Sequence, residues 1–208
     1  MTTSNSKTTS KSGKGDTHGV ISELATYWDV LPVHEDELRA ATQRFAETLH
    51  KVPREVNIRT GLRDSRHVIF DNGRRLMWAT TFENEWDPYV DDFVQIGLDK
   101  FLDWMDHTVQ GADVKAWGEA SGGVDKFTAT NPDFKALVKR SASGLKAILQ
   151  SVQSPGTGYH NNLSDWTMPE IEKAQRLQNA FQQVLGDPAA EKALQHPALK
   201  PLLELAAD

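Results

Sequence analysis

SRHVIFDNGRRLMWATTFENEWDPYVDDF, residues 65–93, is the stretch whose reading decides the fold. Asn72-Gly73 accepts the positive φ angles of a type I′ turn, so the flanking strands pair through a two-residue loop. Register follows from that loop. Asp71 faces Arg74, Phe70 faces Arg75, Ile69 faces Leu76, Val68 faces Met77 and His67 faces Trp78. One face of the hairpin then carries His67, Ile69, Leu76, Trp78 and Thr80. The other carries Arg66, Val68, Phe70, Arg75, Met77 and Ala79. Both faces are largely apolar, and a strand pair that is apolar on both sides needs a cover on each. Asp87-Pro88 then supplies an N-cap and a proline at the first helical position. Val90, Phe93, Val94, Gly97, Leu98, Phe101 and Met105 share one face of the helix that follows, which ends between His107 and Gly111.

Upstream, Gly19 to Leu31 is rich in β-branched and aromatic residues and reads as a strand with apolar residues on both sides. Pro32 stops it. Glu35-Asp36-Glu37 places acid at a helix N-terminus, where the dipole favours it. Leu38, Ala41, Phe45 and Leu49 recur at helical spacing, so a helix spans His34 to His50. In residues 54–64 Val56 and Ile58 fit the start of a strand that Gly61 interrupts. The order is strand, helix, strand, strand, helix, which is a ferredoxin-like βαββαβ unit short of its last strand. That strand falls at Val114–Trp117 or at Lys126–Ala129.

Downstream the chain reads as helical. Asn131-Pro132 opens a helix with Phe134, Leu137, Val138, Leu145, Ile148 and Val152 on one side, and residues 154–162 form a loop. Thr167-x-x-Glu170 is a capping-box pattern for a helix that stops at Gly186. Asp187-Pro188 and His196-Pro197 begin two short helices. The expected fold class is therefore α+β: a disordered tail over 1–18, a ferredoxin-like domain over 19–130 and an α-helical C-terminal extension over 131–208.

Composition narrows the chemistry. The chain has 208 residues and a formal net charge of −6, a balance unsuited to holding nucleic-acid phosphates as its main work. It has no cysteine, which excludes disulfides, thiolate metal ligands, iron–sulfur clusters and thiol nucleophiles. A cytoplasmic location is the expectation that fits. No apolar run approaches the ~20 residues of a membrane span. No HExxH, GxSxG, GxGxxG or P-loop pattern occurs.

Few residues are left as candidates. His67, facing Trp78, reads either as a general base or axial haem ligand in an apolar pocket, or as a hydrogen-bonded histidine between sheet and helices. Arg66, Arg74 and Arg75 cluster on the hairpin, where they either grip a carboxylate or pair with Asp71, Glu83 or Glu85. Asp91 and Asp92 point in different directions on a helix and make a poor metal clamp. His107 caps a helix C-terminus. His160 lies in a Gly-rich loop beside Tyr159, Asn161 and Asn162, and loops carry function more often than their share.

Thr26 to Leu38, TYWDVLPVHEDEL, resembles the end of strand one and the Pro-Gly-x-Glu-x-Glu helix entry of the dimeric α+β-barrel superfamily, with Val33 where glycine is usual. That group includes antibiotic-biosynthesis-type and haem-degrading monooxygenases and, more distantly, chlorite dismutases and dye-decolorising peroxidases. The stretch from Arg66 to Phe93 is similar to a segment of bacterial proteins associated with haem peroxidase relatives. The resemblance covers residues 19–110. It implies a homodimer in which one sheet face packs on the helices and the other meets a partner's sheet or lines a pocket. The GxxDG haem motif of dye-decolorising peroxidases is absent. The expectation is an oxidoreductase-type pocket, monooxygenase or peroxidase-like and open to haem as cofactor, lined by His67 as catalytic residue with Arg66, Arg75 and Trp78, and with His160 as a second ligand-binding candidate. The alternative is a non-catalytic ligand-binding or assembly protein that dimerises through its sheet.

Overall fold

A computed structural model describes residues 8–9, 14–83, 85–127 and 131–207; for 8–9 and 93–97 it describes the backbone alone. Two compact units divide at Thr167–Met168.

The first unit is an α+β layer built on an antiparallel sheet. Strands β1 (Thr8–Thr9), β2 (Asp16–His18) and β3 (Ile21–Asp29) precede helices α1 (Glu35–Lys51) and α2 (Arg54–Thr60). Strands β4 (Leu62–Phe70) and β5 (Arg75–Phe82) follow, then α3 (Trp86–Met105), α4 (Gly111–Ala120) and α5 (Phe134–Val152). The order across the sheet is β1-β2-β3-β5-β4.

The β4–β5 hairpin has the register its turn chemistry demands, with His67 opposite Trp78 and Phe70 opposite Arg75. Asn72 and Gly73 hold φ of 54° and 80°, the type I′ signature, and Asp71 joins them at 55°. A Cβ on Gly73 would stand 2.0 Å from Glu35 Oε2, so glycine also lets the turn approach α1. Arg63 is the bulged residue where the β4–β5 register shifts between Leu62 and Asp64.

Four sequence expectations are corrected. Residues 54–60 are helical, closed by Gly61 at φ 73°, so Val56 and Ile58 start no strand. Val114–Trp117 lies inside α4 and is not the missing strand. Lys126 belongs to a 3-10 turn, and residues 128 and 129 of the other candidate strand lie outside the described residues. Part of the supposed tail is ordered: Asp16–His18 pairs with β3, and Lys14 binds Asp87.

The edge of β3 that faces away from β5 is completed in three pieces. β2 pairs with Ser22 and Ile21. Gln153 bridges Thr26, with Ser154 N donating to Ala25 O. Thr108 bridges Val30, with Val109 N donating to Asp29 O. Separate segments thus satisfy backbone groups that a single strand would otherwise serve.

Alternation on the strands sorts the sheet into two unlike faces. The inner face, with Leu24, Trp28, Leu76, Trp78 and Phe82, is buried under the helices. Leu38, Ala41 and Phe45 of α1 reach it, with Val90, Leu98 and Phe101 of α3. The side chains of Phe93, Val94 and Gly97, expected beside them, lie outside those described. Thr26 Oγ1 donates to Trp78 O and accepts from Trp28 Nε1 at 2.8 Å, so the Trp28 indole N–H is paired inside the core. Helix α5, read from sequence as the start of an extension, packs on α3, α4 and β3 inside the first unit. Gly144 allows Trp117 to approach to within 2.6 Å of where a Cβ would stand, and Trp117 Nε1 donates to Ser141 O.

The second unit contains α6 (Met168–Leu185), α7 (Glu191–Leu194) and α8 (Lys200–Ala207). Asp187 and His196 each accept a hydrogen bond from the backbone N–H two residues on, the caps their following prolines led one to expect. Leu177 of α6 and Leu205 of α8 are exposed.

Candidate functional site

The sequence-predicted site residues do not converge. His67 and Trp78 point to the inner face of the sheet. Arg66 and Arg75 alternate onto the outer face. His160 is in the loop after α5, where its Nε2 lies 2.8 Å from Asn162 Oδ1 and its ring 5.0 Å from that of His18.

His67 sits in an aromatic cage. Its ring stacks near Trp78 at 6.3 Å and meets Phe45 and Trp104 edge-on at 5.1 Å each. Nε2 is buried without a hydrogen-bond partner. Burial disfavours the imidazolium and pushes the pKa down to about 3. The ring is therefore neutral at physiological pH and a weak base. A cavity of about 30 Å³ lies behind Phe45 and Phe101, lined also by Asn57, Thr60, Ser65 and Tyr89, and His67 is not among its walls. A porphyrin is far larger than this space, and Arg66 and Arg75 lie across the sheet from it, so these residues do not fit haem.

The outer face is covered at one end only. Ile21 is fully buried there, and Gly156 N donates to Glu23 Oε1 at 3.1 Å. Burial raises the Glu23 carboxyl above its usual range, against the lowering hydrogen bond from Gly156. Arg63 and Glu83 form an ion pair at 2.8 Å with side chains 9% and 10% exposed, and Arg63 also donates to Trp166 O. At the other end Tyr27, Met77 and Phe70 are half-buried and Val68 is exposed. Arg75 lies over the Tyr27 and Phe70 rings, 6.0 Å and 5.3 Å from their centroids, as a cation at the border of this strip. Arg74 instead pairs with Asp71 at 2.7 Å.

A groove of about 700 Å³ between α5, the start of α3 and Lys14 escaped the sequence reading. Lys14 Nζ donates to Asp87 at 2.9 Å, and Lys146 Nζ lies 2.8 Å from Asp91 and 3.3 Å from Asp87. Burial pushes the Asp87 carboxyl up, but the hydrogen bonds from the two lysines outweigh it and hold the group below the usual range. Asp91 thus serves the groove, whereas Asp92, raised by burial and by Asp91, feels Arg59 of α2. The signal that would have found the groove is the spacing of Lys135, Lys139 and Lys146, which share one face of α5. Its partner, Lys14, lay in the supposed tail.

Among the described residues no group of three or more His, Asp or Glu can hold a metal ion, and no helix is long and apolar enough to cross a membrane. No family model, curated protein or solved structure matches the chain.

Proposed function

We propose that this chain is a non-catalytic ligand-binding or assembly protein, built on a ferredoxin-like variant of the α+β fold, that forms a homodimer through the outer face of its sheet. One observation carries the reading: the inner face is packed under the chain's own helices, while on the outer face the described residues leave Val68 exposed and Tyr27, Phe70 and Met77 only half-buried. A flat strip of aromatic and aliphatic side chains gains most from burial against its like, and a two-fold axis lets one strip cover its own copy. Charges of both signs border it. Asp29 and Arg75 are paired neighbours at one end, and Asp64 and Arg66 flank the other. An isologous contact can therefore set acid against base. The resemblance to dimeric α+β barrels points the same way.

Size-exclusion chromatography with light scattering tests this. The natural chain is expected at twice its monomer mass and Val68→Asp at the monomer mass, with unchanged circular dichroism because Val68 is already exposed. A natural chain that stays monomeric at high micromolar concentration refutes the dimer.

The second reading is a monooxygenase- or peroxidase-like oxidoreductase with His67 as its base, and the observation in its favour is the unpartnered Nε2. It requires the aromatic cage to open to a substrate. Turnover of a dye with oxygen or peroxide, lost in His67→Ala but retained in Arg66→Ala, would favour it over the binding role.

A further inference from the structure

We propose that the groove between α5, the start of α3 and Lys14 binds an organic phosphate, with Lys135 and Lys139 as the groups that meet the phosphoryl oxygens. The volume of about 700 Å³ is in the range of sites that hold small organic molecules. Its charge is asymmetric. Four lysines line it against two carboxylates. Asp87 is engaged by Lys14 and Lys146, and Asp91 by Lys146. Lys135 and Lys139 make no ion pair among the described residues, and both are exposed at the groove.

That arrangement divides the work. Lys146, its side chain only 14% exposed, is fixed in the wall by the two carboxylates. Lys14 is held by Asp87, with Nζ 4.8 Å from the Trp86 ring. The surplus of two positive charges is one helical turn apart on α5 and matches a phosphomonoester dianion. Lysine ammonium groups, unlike the planar forks of arginine, bind phosphate as point charges without demanding a coplanar pair of oxygens. Val138 and Ala142, buried in the floor, and Ala147 give the rest of the ligand an apolar seat. A ligand with an apolar body and a dianionic head fits both parts. A nucleic acid fits less well, because the lysines are confined to one concavity on a chain of net charge −6.

Phenyl phosphate, phenol and inorganic phosphate, titrated separately into the full-length chain and followed by Trp fluorescence and calorimetry, test the site. Phenyl phosphate is expected to bind, and more tightly than inorganic phosphate, with affinity that falls as salt rises. Lys135→Gln with Lys139→Gln is expected to weaken it about tenfold, since each exposed cation contributes modestly. Both side chains are at the surface, so the fold is retained. Asp87→Asn is expected to tighten binding, because it removes one of the opposing carboxylates. Phenol binding as tightly as phenyl phosphate, an unchanged affinity in the double variant, or no phenyl phosphate binding at millimolar concentration each overturns the proposal.

Discussion

Acid should unfold this protein partly through one histidine. An unfolded His67 titrates near ~6.5, whereas in the folded chain burial holds it at about 3. Between those values the unfolded chain carries a proton that the folded chain lacks. The contribution of His67 is complete above the unfolded pKa and drains away as pH falls, at about 1.4 kcal/mol per pH unit. From pH 7 to pH 4.5 that is roughly 2–3 kcal/mol, an upper figure because the ring edge keeps some contact with solvent. It is a large share of the ~5–15 kcal/mol by which a domain is stable. His67→Leu fills a similar volume among Phe45, Trp78 and Trp104 and has nothing to titrate. Urea unfolding followed by tryptophan fluorescence, on both proteins at pH 7 and 4.5, gives the comparison. Glu23 and the other acids titrate in both chains and cancel in the difference. The natural chain should lose about 2–3 kcal/mol more than the variant over this interval. Equal losses, within ~0.5 kcal/mol, would refute the account of His67 as a neutral, desolvated ring. So would a histidine resonance assigned to His67 that titrates near ~6.5 in the folded protein.

Two further substitutions probe the fold. Thr26→Val removes the hydroxyl that joins Trp28 Nε1 to Trp78 O and strands a buried donor, so urea unfolding should show a loss of about 1–3 kcal/mol. Val33 has φ of 63° and is 95% exposed, a β-branched residue in left-handed backbone. Val33→Gly relieves about 1–2 kcal/mol of strain against the added freedom of an unfolded glycine, and thermal unfolding should show no loss of stability and a gain of up to about 1 kcal/mol.

Much of the architecture was written in local chemistry. Asn72-Gly73 set the hairpin register without help from the rest of the chain, because a type I′ turn permits only one pairing of its neighbours. The apolar spacing of Leu38, Ala41 and Phe45 placed α1, and Asp187-Pro188 and His196-Pro197 placed two short helical starts. Alternation along β4 and β5 also divided the hairpin's side chains between two faces, though both read as largely apolar and only packing made them unlike. That alternation already separated Arg66 and Arg75 from His67 and Trp78, so the four could not share a pocket.

What the tertiary structure alone decided was which distant pieces meet. Val56 and Ile58 have strand propensity, yet a helix there, ended by Gly61, lets the chain turn from α1 into β4. No continuous strand was needed beside β3, because residues 17–18, 153–154 and 107–109 each satisfy part of its edge, and a hydrogen-bond donor does not depend on the sequence around it. The lysine groove arises for the same reason. Lys14, Asp87 and Lys146 are far apart in the chain, and only folding makes them neighbours. Turns and the caps at Asp187 and His196 act over a few residues and are legible in sequence, whereas Asp87, read as the cap of α3, lies inside that helix and pairs with lysines instead. Charge pairing and edge completion act through space, where sequence order carries little information.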